Sequence, residues 1–316
     1  MKNRFLLAMS MAITGLVFSA SAVSQANEGQ GQAIVTVVPK HKGEAAPNVN
    51  QQDIQSVKVN GKSVQVTSFR SLAGTQNKVE LVILIDDAAR SSFGRQIEDV
   101  QNFVRSLPPN VSATLGYMEN GRAALAGPFT TDRQQTLRGL HLPIGTPGVD
   151  ASPYFCLSDL AKSWPSQDRS SRREVVMITD GIDYYYHHYD PDDPYVQAAI
   201  TDSIRAGLVV YSIYWENTGR IDRTIWGNNS GQNWLTQVDE ATGGSNFWQG
   251  FGNPVTFQPY FDELTRRLNN QYELSFNSQL KGKPDIATFR LKLAAPGSDV
   301  ESPQQVFVVP AGNAQK

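Results

Sequence analysis

Val79-Glu80-Leu81-Val82-Ile83-Leu84-Ile85-Asp86 is an almost unbroken apolar run that stops on a carboxylate and continues Asp87-Ala88-Ala89-Arg90. A second run, Glu174-Val175-Val176-Met177-Ile178-Thr179-Asp180, stops the same way and turns on Gly181. Runs this short and this apolar are the pattern of strands buried on both faces, as in a parallel sheet covered by helices. Two such strands ending in Asp put two carboxylates side by side at one edge of the sheet. An α/β domain can build a divalent-cation site in that way, with hydroxyls supplying neutral oxygens beside the acids. Here alanines and Arg90 stand where those hydroxyls would be.

Outward from these runs, strands alternate with helices. Ile97, Val100, Val104 and Leu107 mark one helix face, and Pro108-Pro109 stops it. Asn120-Gly121 between 111–118 and 122–126 predicts a hairpin, hence one antiparallel strand at a sheet edge. Thr131 with Gln134 reads as a capping box for a helix carrying Leu137 and Leu140, and Ser152-Pro153 as the start of the next. Asp193-Pro194 opens a helix that Gly207 ends, and 208–215 is another buried strand. A loop over 216–230, a helix over 232–241, a short strand at 245–248 and a helix through Phe257 and Leu268 complete a doubly wound, Rossmann-like α/β domain over 78–269. On either side the period changes to two. Residues 33–67, with a hairpin at Asn60-Gly61, and 271–309 are β-rich, while 27–32 reads as a polar, frayed segment and 68–77 as a link to the main domain. Neither β segment has enough strands to close a core alone, so the N-terminal segment (27–77) and the C-terminal one (270–316) are expected to pair into a small β-sandwich-like unit.

Residues 1–26 have the form of an export signal: Lys2 and Arg4, an apolar stretch from Phe5 to Phe18, then Ala20-Ser21-Ala22. Ser24-Gln25-Ala26 is a second candidate cut. The stretch is too short for a membrane span, so the reading is a periplasmic or secreted protein. Its removal leaves 26 basic against 30 acidic residues, a net charge of −4, which gives no electrostatic footprint for nucleic acid. The single cysteine, Cys156, excludes an intramolecular disulfide and is expected to be a small buried side chain. Arg169, Arg172 and Arg173 read as a solvated stretch before a buried strand.

Residues 78–269 resemble a von Willebrand factor type A (VWA) domain, and the chain after the signal is similar to an exported VWA-related family described from acidobacteria. The resemblance is carried by ILIDDAARSS, FTTDRQQTLRGL, VVMITDGID, GLVVYSIYW, TGGSNFW and NPVTFQPYFDELTRRLNNQYELSF. It implies a Rossmann-like sheet with an antiparallel edge strand, a protein ligand bound at the top face, no catalysis, and a metal-ion-dependent adhesion site. Carried onto this chain, that site would take Asp86, Asp180 and Ser152, with Ala88 and Arg90 in place of two serines. The site is therefore expected to be degenerate: Mg²⁺ would be weakly held at best, and no cofactor is required. Arg90 can instead neutralise the two acids.

The loop Asp183-Tyr184-Tyr185-Tyr186-His187-His188-Tyr189-Asp190 follows the second strand and should sit on the same face. Tyrosines give contact area with few rotamers to freeze, so Tyr184, Tyr185, Tyr186, His187 and Tyr189, with Arg90, are the expected binding residues; a loop folded onto its own aromatics is the other reading. Of the tryptophans, Trp215, Trp226, Trp234 and Trp248 either fill the core or anchor a partner. No nucleophile–base pair, phosphate loop or zinc motif is present. The expectation is a non-catalytic binding module for a protein or cell-envelope partner; the alternative is a metal-assisted hydrolase using Asp86, Asp180 and Asp183.

Overall fold

The computed structural model describes residues 28–45, 47–89, 91–145, 152–186, 190–216, 225–250, 252–280 and 282–311. The expected signal segment, Arg90, His187 and Tyr189 lie outside them. The strands are β1 (Glu28–Pro39), β2 (Ile54–Val59), β3 (Lys62–Ser63), β4 (Gln65–Ser71), β5 (Val79–Asp86), β6 (Val111–Glu119), β7 (Arg122–Leu125), β8 (Arg172–Thr179), β9 (Leu208–Tyr214), β10 (Asn246–Phe247), β11 (Gln271–Gln279), β12 (Asp285–Leu293), β13 (Ser298–Glu301) and β14 (Gln305–Pro310). The helices are α1 (Ile97–Ser106), α2 (Arg133–Leu137), α3 (Pro153–Lys162), α4 (Pro194–Ala206), α5 (Ile225–Thr242) and α6 (Gln258–Leu268).

Six strands form a sheet in the order β10-β9-β8-β5-β6-β7, parallel except for β7. Alternation along β5 explains the three layers. Leu81, Ile83 and Ile85 face α1 and α6 through Val100, Phe103, Phe261 and Leu264. Val82 and Leu84 face α3, α4 and α5 through Leu157, Ile200 and Val238. A strand read by helices on both faces must be apolar throughout, and all eight residues of β5 are buried. The β6–β7 turn has positive φ at both Asn120 (47°) and Gly121 (73°), as its hairpin requires.

The second sheet is antiparallel, in the order β3-β2-β12-β14-β1-β11-β4, with β13 also on β1. It is one curled sheet and not two facing sheets. Phe276 of β11 and Phe289 of β12 lie 5.6 Å apart, although β1 and β14 separate their strands. A flat sheet would hold them roughly 14 Å apart, so the sheet folds over its own core. β1 is the shared wall. Val35 and Val37 enter that core, while Ile34 packs against the α/β domain.

Polar and charged groups stitch the two sheets together. Gln271 of β11 donates to the Tyr211 hydroxyl at 3.0 Å and accepts from Arg172. Arg172 also donates to the Leu268 carbonyl, and Arg267 pairs with Glu301. Glu174 is buried among them, and burial pushes its carboxyl up to about 7 against the pull of Arg172. Arg172 and Arg173 are thus not a solvated stretch. Arg173 is buried, donates to the carbonyls of Ser166 and Ala206, and lies over the Trp164 ring.

Other local expectations shift for visible reasons. β1 begins at Glu28, within the segment read as polar and frayed, because Gly29 and Gly31 leave room for side chains of the curled sheet. A Cβ on Gly31 would lie 2.4 Å from the Phe276 ring. β4 runs on to Ser71, into the segment read as a linker, and pairs with β11. The cap of α2 is Asp132, not Thr131, and Leu140 lies beyond the helix. Helix α5 starts at Ile225, inside the expected loop.

Candidate functional site

The chain leaves β5 through α1 toward β6 and returns through α3 to β8 on the other side of β5. That reversal makes the C-terminal ends of β5 and β8 the topological switch point, the place where open α/β sheets bind ligands. Asp86 ends β5, and Asp180 directly follows β8. The register pairs Ile85 with Ile178, so the two strand ends adjoin. The sequence does bring these carboxylates to one edge.

Their hydrogen bonds are local. Asp86 accepts from the Ala88 N–H at 2.9 Å and from the Thr179 hydroxyl at 2.8 Å. Thr179 Oγ1 in turn accepts from the Gly181 N–H at 3.2 Å. Asp180 accepts from the Ile182 N–H at 3.0 Å and from the Tyr184 hydroxyl at 3.1 Å. Asp183 accepts from the Tyr185 N–H at 2.9 Å, and Asp193 from Tyr195 at 2.8 Å. In each case the acid bonds the backbone two residues on, the turn that Asp favours because its short side chain can mimic a backbone carbonyl. Asp87 reaches farther, accepting from the Ile144 N–H at 3.0 Å.

This arrangement bears on the Mg²⁺ that the resemblance implies. Mg²⁺ needs a near-octahedral shell of six oxygens. Both oxygens of Asp86 and both of Asp180 accept protein hydrogen bonds, and Ala88 contributes no side-chain oxygen. Among the described residues no three His, Cys, Asp or Glu side chains gather as a metal-binding group. The pair fits a self-satisfied carboxylate arrangement and not a six-oxygen shell.

Ser152, expected beside Asp86 and Asp180, starts α3 but makes no capping bond with its hydroxyl. It bears on Asp183 instead. Burial raises the Asp183 carboxyl above the usual range, and the charge of Asp193 adds to the shift against the Tyr185 N–H. Beneath them the Tyr154 hydroxyl donates to the Gly181 carbonyl at 2.6 Å. Helix α5 comes so close that a Cβ on Gly231 would lie 2.2 Å from the Asp180 carbonyl oxygen. This close approach is why a glycine stands inside a helix there.

Of the expected binding residues, Tyr184 is tied to Asp180, while Tyr185 and Tyr186 pack edge-on against Tyr195. Tyr185 also meets Phe155 at 5.2 Å yet stays 47% exposed. Trp215 and Trp234 are buried, whereas Trp226 and Trp248 are exposed. The motif reading named Tyr185, Trp226 and Trp248 but missed Leu142, Ile144 and Val255, which are also exposed. Among the described residues the exposed large hydrophobics are Leu142, Ile144, Tyr185, Trp226, Trp248 and Val255. The topology puts all of them at this one edge. Ile144 binds Asp87 after β5, Tyr185 follows β8, Trp226 opens α5 after β9, and Trp248 follows β10. Val255 is held by Gln96 just before α1, at 3.3 Å. Their signal in the sequence was an apolar residue inside an otherwise polar loop.

No protein-family model matches the chain, and no curated protein matches it. Among solved structures it is similar to an aerotolerance-related membrane protein from Bacteroides fragilis, at 16% identity over 60% of this chain and 98% of that one, with a TM-score of 0.41. It is similar to BatB from Bacteroides thetaiotaomicron, at 14% identity over 60% and 97%, with a TM-score of 0.42. It is also similar to the SpRpn10 VWA domain, at 12% identity over 54% and 86%, with a TM-score of 0.36. Among the described residues no helix is long and apolar enough to cross a membrane.

Proposed function

We propose that the α/β domain is a VWA-type, non-catalytic binding module of an exported protein. It engages a protein or cell-envelope partner through the loops above β5, β8, β9 and β10, without a metal at Asp86 and Asp180. The observation that carries this reading is the clustering of the exposed apolar side chains. Ile144 and Val255 are 83% and 89% exposed, and they share one edge with Trp226, Trp248 and Tyr185. A concentration of exposed apolar area marks an interaction surface, whereas single scattered residues do not. Aromatic anchors dominate the energetics of such surfaces. The saturated hydrogen bonds of Asp86 and Asp180 support a degenerate adhesion site.

The test is capture of a partner from solubilised cell envelope by the immobilised protein. Capture is expected to fall at least tenfold in Tyr185→Ser/Trp226→Ser/Trp248→Ser and to persist in Asp86→Asn, which can still accept from Ala88. Undiminished capture by the triple variant would place recognition elsewhere. Loss of capture in a folded Asp86→Asn protein would return the site to a metal-dependent type.

A further inference from the structure

A hollow of about 320 Å³ is lined by Lys162, Trp164, Arg169, Arg173, Asp202 and Arg205, among others. The chain converges there because α3 ends at Lys162, α4 ends at Ala206 and β8 starts at Arg172. Arg173 and Asp180 mark the two ends of β8, roughly 23 Å apart at the rise of a strand, so the hollow is at the end of the sheet opposite the candidate face. Four cations in this lining stand against one carboxylate. That carboxylate is engaged: Asp202 pairs with Lys162 at 2.9 Å and accepts from the Ser158 hydroxyl.

Arg173 is the buried member of the group, at 5% exposure, while Lys162, Arg169 and Arg205 are exposed. Of the five N–H donors on its guanidinium, one meets the Ser166 carbonyl at 2.9 Å and one the Ala206 carbonyl at 3.4 Å. Its Nε is buried without a hydrogen-bond partner. Burial, and then the charge of Arg169, pulls the guanidinium below its ordinary range. Glu80 and Asp168 act on it from a distance, but Glu80 accepts from the Trp164 indole at 2.7 Å and Asp168 from the Ser170 and Ser171 hydroxyls. Among the described residues Arg173 forms no ion pair. Helix C-termini favour cations, which accounts for Lys162 and Arg205 one at a time. It accounts neither for Arg169 nor for a buried guanidinium with donors unused, an arrangement that is costly without an anion.

We propose that this hollow binds a phosphate monoester. Its volume is at the small end of ligand pockets, which suits a phosphate carrying a short organic group. The excess of cations in the lining matches a dianion better than a single carboxylate, and a guanidinium fork fits two phosphate oxygens at once. Arg173 is the fixed contact, because Ser166, Ala206 and the Trp164 ring 5.5 Å away hold it in place. The exposed Lys162, Arg169 and Arg205 neutralise the remaining oxygens. A soluble phosphate ester and a phosphatidic acid headgroup offer the same chemistry. The site does not rest on the partner-binding reading, since it lies at the other end of the sheet.

The probe is glycerol phosphate, titrated calorimetrically into the full chain with glycerol as the neutral control. The wild-type chain is expected to bind it with a Kd on the order of 1 mM or tighter, and to ignore glycerol. Arg169→Gln/Arg205→Gln changes two exposed side chains and should weaken binding at least tenfold. Arg290→Gln, which removes an exposed cation from the curled sheet, should leave it unchanged. A wild-type chain that does not bind glycerol phosphate overturns the proposal. So does equal weakening by Arg290→Gln and by the double variant, which would mean attraction to charge in general. Co-sedimentation with phosphatidylcholine vesicles containing phosphatidic acid, competed by glycerol phosphate, supports the site and assigns it a lipid source. Binding of glycerol phosphate without co-sedimentation supports it with a soluble one. Should the double variant fail to fold, the wild-type melting curve decides. A rise in Tm with glycerol phosphate but not with NaCl of equal ionic strength supports the site, and no rise overturns it.

Discussion

The Thr179 hydroxyl donates to the Asp86 carboxylate across 2.8 Å, joining the ends of two neighbouring parallel strands. The bond is buried, and it is relayed to the next turn by the Gly181 N–H on the same oxygen. One hydroxyl thus holds in place a carboxylate that the sequence offers as a metal ligand.

Thr179→Val keeps the shape of the side chain and removes the bond. It takes one donor from Asp86 and the acceptor from the Gly181 N–H, at a cost of about 1–3 kcal/mol. Urea unfolding should show the loss as a lower midpoint at an unchanged slope. Thr179→Ser, which keeps the hydroxyl, should retain most of the stability. Equal losses in the two variants would mean that the methyl group matters and the bond does not.

Glu174 makes stability depend on pH in a definite direction. Its carboxyl lies at about 7 in the folded chain, against an ordinary value of 4.5. Below the ordinary value both states hold the proton and the contribution is constant. As pH rises from there to about 7, the folded chain holds more protons than the unfolded one, so stability falls. Above about 7 the loss is complete, at most about 3 kcal/mol. Glu174→Gln should remove this fall, which urea titrations between pH 4.5 and 8 would read. A slope unchanged by the substitution would assign the pH dependence to other groups.

Gly231→Ala sets helix propensity against packing. Alanine favours a helix interior by about 1 kcal/mol over glycine. Its Cβ, however, would lie 2.2 Å from the Asp180 carbonyl oxygen, and that neighbour is backbone. Overpacking of this kind costs about 1–3 kcal/mol, so the net effect is destabilising, and the Asp180–Gly181 turn must shift. A higher Tm in the variant would show that α5 can retreat from the strand end. Amide exchange at Gly181 and Ile182 should accelerate even where the global loss is small.

The parts of the fold set by local chemistry were legible. The two apolar runs, both Asn-Gly hairpins and the adjoining strand ends follow from side-chain period and turn residues. Less legible was whatever depends on a distant neighbour. The first residues of β1 read as a polar, frayed segment because the ring that demands glycine at Gly31, Phe276, is far away in sequence. The first turns of α5 read as a loop because Gly227, Asn228, Asn229 and Gly231 are poor helix formers. What Gly231 accommodates is the Asp180 turn, which only the packing reveals. The site was half legible. The positions of Asp86 and Asp180 were clear, but which donors would occupy their oxygens was not. Ser152 was placed correctly at its helix start, yet its hydroxyl turns to Asp183.

β1 also has a consequence for how the chain is assembled. Its partners β11, β13 and β14 lie far along the chain; Val35 meets Tyr272, about 240 positions away. Such pairings are slow to form, because a long loop must close before any of them is rewarded. During synthesis β1 therefore waits, unpaired, until the last strands have emerged. The α/β domain has all six of its own strands by β10 and can settle first, giving the late strands a finished surface to dock on. A protein built in this order stays incomplete, and open to chaperones or proteases, until β11 to β14 arrive.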